Sequence, residues 1–299
     1  MPRKIADSVV IITGASTGIG RAAALKFAPQ GATVVVSGRR EQALQRLAEH
    51  CEKLGGRALA IPADVTDQEA IKSLARQVIE TFGRIDVWVN NAAVTLFARI
   101  EEAPYEAYRK VIETNLFGYI HGARAVLPYF RKQGSGTLIN VSSVVGKLGS
   151  PFVSAYTTSK FGIVGLSESL RMELQDAPDI HICTVLPASI DTPLFQHAAN
   201  FMGRAVKPLE PIYSADQVAN AIVDLARRPR REIMVGNAGR MQALMHAIAP
   251  DLTERIYAKQ VEKNHFQDKP APESPGNLFN PMEEYESVSG GWRMESSSG

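Results

Sequence analysis

The chain has 299 residues, of which 45% are hydrophobic and 21% charged, proportions close to those of soluble globular proteins. Lysine and arginine total 33 against 31 aspartate and glutamate, and no long basic block occurs, which argues against a nucleic-acid or membrane-surface partner. Two cysteines are too few for a disulfide framework, and neither lies in a metal-binding motif.

The N-terminal region and the lengths of the apolar runs indicate the cellular location of the protein. A strand-like run at residues 9–12 comes early, without the apolar stretch and cleavage site of a signal peptide before it. The longest apolar runs elsewhere are too short to span a bilayer. We therefore expect a cytoplasmic protein with no membrane span.

Short apolar runs rich in β-branched residues alternate with segments of helical spacing. Strands are predicted at residues 9–12, 33–37, 58–61, 85–89, 137–141, 180–186 and 232–235. Helices are predicted at residues 18–30, 41–55, 67–82, 105–132, 154–176 and 215–227. Continuous apolar strands between helices are typical of a parallel sheet covered on both faces. The sequence therefore predicts a single α/β domain with a doubly wound parallel sheet of about seven strands, the Rossmann type.

The remaining segments are irregular or helical. We expect residues 1–250 to form the catalytic domain, with the irregular residues 191–213 as a substrate lid that has room for one or two short helices. A C-terminal helix is predicted at residues 251–266. From residue 267 to 299 the chain is rich in Pro, Gly, Ser, Glu and Asn, which favours a disordered or loosely docked tail.

One further helical pattern lies near the end of the catalytic domain. Its apolar face is expected to pack in the core rather than to form an interface or a lid. That face consists of Met241, Leu244, Met245 and Ile248.

A glycine-rich turn joins the first strand to the first helix. It reads TGASTGIG from Thr13 to Gly20. Glycines let the backbone approach a pyrophosphate closely, and a helix N-terminus offers free N–H groups. Three glycines alone could form a simple tight turn, but their position between a strand and a helix indicates a dinucleotide site.

The spacing of these glycines departs from G-x-G-x-x-G, because three residues separate the first two. This T-G-x-x-x-G-I-G form resembles the short-chain dehydrogenase/reductase family, and the resemblance extends over about residues 7–245. It implies that the turn holds the phosphates of a nicotinamide cofactor. The residues concerned are Gly14, Ser16, Thr17, Gly18, Ile19 and Gly20.

The residues after the second strand bear on the choice of cofactor. A carboxylate there would bind the adenosine ribose and repel a 2′-phosphate, whereas the chain reads Ser37-Gly38-Arg39-Arg40. Guanidinium groups bind phosphate in bidentate fashion, so Arg39 is the predicted 2′-phosphate ligand, supported by Ser37 or Arg40. A solvated turn is the alternative. We predict NADP(H) as the cofactor.

The family resemblance implies further cofactor contacts at the ends of later strands. The segments NNAA and PASIDT resemble the family's N-N-A-G and P-G-x-x-x-T, with Ala93 and Ala188 at the positions of glycine. The contacts to adenine, ribose and carboxamide would come from Asp64, Val65, Asn91, Ala92, Ala93, Pro187, Ile190 and Thr192.

Three residues carry the predicted chemistry. Tyr156 and Lys160 share one face of a predicted helix, and Ser143 ends the fifth strand. The resemblance assigns catalysis to this set, with Ser143 holding the substrate oxygen, and adds Asn115, which would position a water in a proton relay. A hydroxyl is needed to exchange a proton with the developing alkoxide. A cation about 4 Å away can contribute up to roughly 4 kcal/mol, so Lys160 is expected to lower the pKa of Tyr156 toward neutrality, while also contacting the cofactor.

These residues lead to one functional hypothesis and two rivals. The hypothesis is an NADP-dependent oxidoreductase for an apolar ketone, aldehyde or secondary alcohol, with no metal and no nucleic-acid partner. The resemblance of the sequence to the family implies a homodimer or homotetramer. The rivals are a non-catalytic NADP-binding sensor or scaffold, and an epimerase or dehydratase. The substrate pocket would be formed by Val94, Leu96, Phe97, Val144, Val145, Leu194 and Phe195.

Overall fold

The computed structural model describes residues 4–293 and is built around a sheet of seven parallel strands. The sheet order is β3-β2-β1-β4-β5-β6-β7, which confirms the predicted doubly wound fold. Each predicted strand is present with its ends shifted by at most two residues. The strands are β1 (Val9–Thr13), β2 (Thr33–Gly38), β3 (Arg57–Pro62), β4 (Val87–Asn90), β5 (Gly136–Val141), β6 (Ile180–Pro187) and β7 (Glu232–Val235).

The central strands are buried on both faces because helices cover the sheet on each side. β1, with the sequence VVIIT, is buried along its whole length, as a central parallel strand with helices on both sides requires. The chain crosses from one half of the sheet to the other between β3 and β4, so β1 and β4 are neighbours with oppositely directed connections. Ligands of such sheets bind at this point, beyond the carboxyl ends of the strands.

Nine α-helices are present in the described part of the chain. α1, α2 and α7 pack on one face of the sheet, and α3, α5 and α6 pack on the other. Their bounds are α1 (Gly18–Phe27), α2 (Glu41–Lys53), α3 (Gln68–Phe82), α4 (Tyr105–Ile112), α5 (Gly118–Gln133), α6 (Ser154–Glu173), α7 (Ala215–Arg227), α8 (Asn237–Ile248) and α9 (Pro250–Asn264).

The single helix predicted at residues 105–132 is divided in the structure. α4 and α5 are joined by a π-helical turn, Glu113–Phe117, which contains Asn115. A π turn inserts one extra residue into the helical repeat, and such turns are frequent at functional sites. Apolar periodicity cannot reveal this insertion, because the buried face continues on either side of it.

The predicted lid, residues 191–213, contains no helix, and all of its residues are described. It is instead tied down by short strand pairs. Ile190–Asp191 pairs with Tyr213–Ser214, Ala199–Asn200 with Leu96–Phe97, and Arg204–Val206 with Phe266–Pro270. The lid segment is therefore held against the domain by segments that follow β4 and α9.

The C-terminal segment differs from the disordered or loosely docked tail that its composition favoured. Leu278 is fully buried and packs in a cluster with Val94, Leu96 and Val111. Hydrogen bonds hold the segment to the domain as far as Trp292. Residues 294–299 of the predicted tail lie outside the described residues.

The apolar face predicted to pack in the core near the end of the domain is exposed instead. Met241 is 58% exposed and Ile248 is 76% exposed. α8 packs against α9 and the end of β7, through its other side. The core-packing prediction was therefore wrong for this face. No helix within residues 4–293 is both long and apolar enough to cross a membrane.

Candidate active site

The glycine turn is held by the residue that follows β4. Gly14 has a φ of +64°, and a Cβ on it would lie 2.5 Å from the Cα of Ala92, so this position excludes any side chain. The Asn91 side-chain amide donates hydrogen bonds to the carbonyl oxygens of Thr13 and Gly14, both at 3.0 Å. The turn is thereby fixed against the end of β4.

The N-terminus of α1 faces the same place. The helix begins at Gly18, its N-cap Thr17 makes no side-chain capping bond to the described residues, and its first turn carries no acidic residue. The N–H groups and the positive end of the helix dipole are thus not balanced by a local carboxylate. Such a terminus is suited to an anion, as the cofactor assignment requires.

One continuous cavity runs from the glycine turn to the N-terminal end of α6, and most of the predicted site residues line it. Those that do are Gly14, Ser16, Thr17, Gly18, Ile19, Arg39, Arg40, Asp64, Val65, Asn91, Ala92, Ala93, Ser143, Tyr156, Lys160, Pro187, Ile190 and Thr192.

Three predicted site residues lie behind the cavity wall. Gly20 is packed beneath the turn, where a Cβ would lie 2.6 Å from the Asn91 amide nitrogen. Ser37 is 1% exposed within β2, and its hydroxyl has no partner among residues 4–293. Asn115 is fully buried. These three can support the site but do not form its surface.

Arg39 and Arg40 line the cavity beside the glycine turn, at the end where the sequence predicts the adenosine of the cofactor. The Arg39 guanidinium donates to the carbonyl oxygens of Asn277, at 2.6 Å, and Leu278, at 3.2 Å. Burial lowers the pKa of Arg39, and the nearby Asp64 carboxylate opposes this.

Arg40 is 7% exposed and lies beside the glycine turn. Its Nε and Nη2 donate to Ser16 Oγ at 3.4 and 3.3 Å, and its Nη1 donates to Met282 O at 2.8 Å. Both guanidinium groups therefore bind carbonyl oxygens of the C-terminal segment.

Ser143, Tyr156 and Lys160 meet at the other end of the cavity. Ser143 lowers the pKa of the neighbouring Tyr156 hydroxyl in part, while Ser143 Oγ donates a hydrogen bond to the Pro187 carbonyl oxygen at 3.4 Å and accepts one from Val145 N at 3.3 Å. Lys160 Nζ lies 5.2 Å from the Tyr156 ring centroid and donates to the Val141 carbonyl oxygen at 3.0 Å. The C-terminal end of β5 and the first turns of α6 thus bring the predicted set together.

The pKa values in this cluster differ from the sequence-based expectation. Burial raises the pKa of Tyr156 to about 12, although the neighbouring Ser143 lowers it in part. Burial also lowers the pKa of Lys160 to about 7. Desolvation therefore outweighs the expected effect of the lysine charge on the tyrosine, and Tyr156 holds its proton at neutral pH.

Asn115 is used to position two neighbouring elements. Its amide oxygen accepts a hydrogen bond from Val94 N at 2.8 Å, and its nitrogen donates to Val94 O at 2.9 Å and to Ser159 Oγ at 3.2 Å. The side chain therefore ties the segment after β4 to α6. With its amide engaged in this way, Asn115 is better suited to positioning than to holding a water through its side chain.

The far end of the cavity is mostly apolar, as predicted. Of the seven predicted pocket residues, Leu96 alone does not line the cavity. Several residues from distant segments that the sequence-based reasoning had not assigned to the pocket complete it; these are Val153, Leu209, Tyr257 and His265. Nothing in the local sequence around α9 marks Tyr257 and His265 as pocket residues, since they arrive there by tertiary packing.

His265 adds a polar group to the apolar end of the cavity. Its Nδ1 is hydrogen-bonded to the Lys207 carbonyl oxygen, so Nδ1 carries the proton. Burial lowers the pKa of His265. The imidazole is thus a neutral group between the aromatic rings of Phe97 and Phe195.

Asp191 and His197 are two further residues that the sequence reasoning did not assign to the site. Asp191 accepts hydrogen bonds from Gly290 N and Trp292 N, both at 2.9 Å. His197 is buried, with its Nε2 bonded to Glu284 O at 2.9 Å. Both residues hold the C-terminal segment over the cavity. Within residues 4–293, no group of three or more His, Cys, Asp or Glu side chains could hold a metal ion.

Comparison with known proteins agrees with this geometry. The sequence model of the family described as short chain dehydrogenase matches residues 8–202. An uncharacterized oxidoreductase of Bacillus subtilis is 35% identical over 272 residues, which are 90% of this chain and 76% of that protein. The 3-oxoacyl-[acyl-carrier-protein] reductase of Thermotoga maritima is 35% identical over 226 residues, 75% of this chain and 92% of that enzyme.

Solved structures share the fold. A short-chain dehydrogenase/reductase from Burkholderia phymatum in complex with NAD superposes with a TM-score of 0.75 at 24% identity, covering 84% of this chain and 96% of that one. An alcohol dehydrogenase from the archaeon Thermococcus sibiricus, complexed with 5-hydroxy-NADP, has a TM-score of 0.67 at 27% identity, covering 76% of this chain and 95% of that one.

Proposed function

From its membership of the short-chain dehydrogenase/reductase family, which makes the chain an oxidoreductase with a nicotinamide cofactor, we propose that it transfers a hydride between NADP(H) and a carbonyl or secondary alcohol. The observation that carries this proposal is the position of Tyr156. Its side chain lies next to Ser143 and its ring lies beside Lys160, in a cavity that continues to the glycine turn.

The roles of the catalytic residues follow from these contacts. When bound, the nicotinamide supplies or accepts the hydride at the carbonyl carbon. The Ser143 hydroxyl would hold the substrate oxygen, and Tyr156 would give that oxygen a proton in reduction or remove it in oxidation. A tyrosine that keeps its proton at neutral pH is ready for the reductive direction.

Lys160 and Asn115 would support this proton transfer. Lys160 is anchored by Val141 O, beneath the Tyr156 ring, at a place where it would also meet the nicotinamide ribose. Asn115 is a positioning residue, because its amide joins Val94 to Ser159 one turn from Tyr156.

The residues at the adenosine end fit NADP(H). The start of α1, which has neither a side-chain cap from Thr17 nor an acidic residue in its first turn, suits the pyrophosphate, and the end of β2 carries two arginines and no carboxylate. Arg39 is the proposed ligand of the 2′-phosphate, with Arg40 beside it. Asp64 and Val65 would contact adenine, while Pro187, Ile190 and Thr192 would hold the carboxamide.

The substrate end suits an apolar ketone, aldehyde or alcohol. Its wall is built largely from aliphatic and aromatic side chains, including Phe97, Val153 and Phe195. The relative from Thermotoga is by name a reductase of 3-oxoacyl groups, a chemistry that these residues could also perform.

A cofactor-consumption assay tests the function. Purified protein would be incubated with NADPH or NADH and a panel of apolar ketones and aldehydes, and in reverse with NADP⁺ and secondary alcohols. We expect NADPH oxidation with at least one carbonyl. The Tyr156→Phe variant should lose at least about a thousand-fold in kcat and keep its NADPH affinity within about two-fold.

The outcomes separate the competing hypotheses. NADPH binding without turnover on any compound of the panel would favour the non-catalytic sensor or scaffold. Equal turnover by wild type and Tyr156→Phe would remove the tyrosine from the mechanism.

We also propose a homodimer or homotetramer that pairs through α5 and α6. Phe117, just before α5, and Phe161, on α6, are 48% and 43% exposed, and burial at a subunit interface would remove both rings from water. Light scattering during size-exclusion chromatography measures this state directly.

A further inference from the structure

Residues 277–292, which we call the C-terminal strap, cross the adenosine end of the cavity from one wall to the other. At one end, the carbonyl oxygens of Asn277 and Leu278 accept hydrogen bonds from Arg39, which follows β2. At the other end, Asp191, which follows β6, accepts from Gly290 N and Trp292 N. β1, β4 and β5 lie between those two strands in the sheet. The strap therefore spans the mouth of the site.

The middle of the strap contacts the groups expected to bind the cofactor's phosphates. Ser287 O accepts a hydrogen bond from the N–H of Gly18, the first residue of α1, at 2.9 Å. The carbonyl oxygens of Met282 and Glu284 accept from Arg40 at 2.8 and 3.4 Å. The strap thus touches the glycine turn and both candidate 2′-phosphate ligands.

The strap is a wall of the cavity and does not fill it. Asn277, Pro281 and Met282 line the same continuous space as the glycine turn and Tyr156. Leu278 lies between Asn277 and Pro281 in the chain. Its side chain is fully buried in the domain and attaches the strap to the core.

The distribution of charge favours a cofactor that carries a phosphate at this end. Arg39 and Arg40 bind neutral carbonyl oxygens of the strap, which orient the guanidinium groups without neutralising them. The Glu286 carboxylate forms its ion pairs with Arg21, at 3.3 Å, and with Arg46. Its charge and that of Glu283 also raise the pKa of Arg40, against the larger effect of burial, so the strap stabilises the charged form of this guanidinium while its direct bonds to Arg40 come from carbonyl oxygens.

We propose that the C-terminal strap is the outer wall of the cofactor site, which orients Arg39 and Arg40 for the 2′-phosphate of NADP(H) and must lift for the cofactor to enter or leave. This inference rests on the proposed use of NADP(H). When the cofactor binds, the Gly18 N–H exchanges Ser287 O for the pyrophosphate, and the cofactor can dissociate after the bonds at Asp191 and the ion pairs of Glu286 have broken. Release of the cofactor should accordingly be slow in the full chain.

The test is the rate at which NADPH leaves the protein, measured without any substrate. NADPH fluorescence is followed in a stopped-flow instrument after preloaded protein is mixed with excess NADP⁺. The first variant ends after Asn280, so that Leu278 and the carbonyl groups on Arg39 remain while the rest of the strap is removed. We expect NADPH to dissociate about ten-fold faster or more, since several hydrogen bonds are lost.

A pair of substitutions tests the same point in the full-length chain. Glu286→Lys replaces the carboxylate that pairs with Arg21 and Arg46 and should lift the strap by repulsion. Glu273→Lys makes the same change of charge at an exposed position upstream of the strap and serves as the matched control. We expect about ten-fold faster NADPH release from Glu286→Lys and a wild-type rate from Glu273→Lys.

Equilibrium affinity tests the orientation of the arginines. The ratio of the Kd values for NADH and NADPH should fall by about ten-fold in the truncated protein, because Arg40 loses its two carbonyl partners.

The outcomes of these experiments distinguish failure of the strap proposal from failure of the proposed cofactor. If NADPH left both the truncated protein and Glu286→Lys at the wild-type rate, the proposed role of the strap would be refuted. The proposal that NADP(H) is the cofactor would not be affected. Tighter NADPH binding after truncation would show that the strap competes with the cofactor, and would also overturn the proposal. If the full-length protein binds NADH but not NADPH, the proposed cofactor choice fails instead.

Discussion

Lys160 shows, on the scale of one residue, a conflict between catalysis and stability. The side chain is 1% exposed, and its burial lowers its pKa from 10.5 to about 7. Between about pH 7 and 10.5 the unfolded chain therefore binds more protons than the folded one, and the free energy of unfolding rises with pH across this window. Below pH 7 the folded protein carries a buried ammonium group at its full cost.

We expect Lys160→Met to raise the Tm of the cofactor-free protein most at about pH 6 and least at about pH 10. The substitution removes the buried charge, and the Val141 carbonyl oxygen keeps its other hydrogen bond, from the Tyr119 hydroxyl at 2.8 Å. Activity should be lost. Thermal unfolding at several pH values measures the effect, and a gain in Tm that does not shrink as pH rises would contradict this account.

The proposed preference for NADP(H) also rests on single residues. We expect Gly38→Asp combined with Arg39→Ala to change the preference from NADPH to NADH. A Cβ at Gly38 has 3.9 Å of clearance, so a carboxylate can be placed there to bind the ribose and repel a 2′-phosphate. Loss of the guanidinium alone should lower kcat/KM for NADPH by about ten- to a hundred-fold, since hydrogen bonds to charged groups contribute about 1.5–3 kcal/mol.

The measurement is kcat/KM for both cofactors with one saturating carbonyl substrate. Arg39→Ala alone is the control, because it removes the phosphate ligand without adding a ribose ligand. A wild-type protein that already prefers NADH would refute this assignment of Arg39.

On the scale of elements, the glycine turn depends on the end of β4. Gly14 and Gly83 both have positive φ values, +64° and +74°, but a Cβ meets the Ala92 backbone at Gly14 and nothing within 4 Å at Gly83. We expect Gly14→Ala to lower the affinity for NADPH and NADH alike by at least about ten-fold, because the turn has to move away from Ala92.

Gly83→Ala is the matched control for this prediction. It should cost about 1 kcal/mol of stability through its backbone conformation and leave cofactor affinity unchanged. Isothermal titration of both variants provides the comparison. Equal affinities would show that the turn tolerates a side chain at its first glycine.

On the scale of the whole molecule, the C-terminal segment contributes to the core as well as to the site. Phe266 and Leu278 are 4% and 0% exposed. Burial of each is worth about 1.5–3 kcal/mol, so truncation after His265 should lower the Tm by about 5–15 °C. Truncation after Asn280 keeps both side chains and should leave the Tm near that of the full chain. Similar Tm values for the two truncated proteins would contradict this division of roles.

Much of the fold was decided by local sequence. The apolar runs that became β1 to β7 are continuous in the chain, and their β-branched residues fit a buried parallel sheet wherever it forms. The glycine turn is local too. Spacing placed Tyr156 and Lys160 on one helical face and Ser143 at a strand end, and the family resemblance then selected these three as the predicted catalytic set.

The tertiary structure alone decided which side chains face the cavity and what they contact. Ser37 lies in the predicted strand but on its buried side, and Asn115 is tied to Val94 through a π turn that periodicity does not reveal. Arg39 and Leu278 are 239 residues apart in the chain. A segment rich in Pro, Gly and Ser has no periodic pattern to indicate its partner, so its docking on Arg39, Gly18 and Asp191 depends on where the folded domain presents free donors and acceptors.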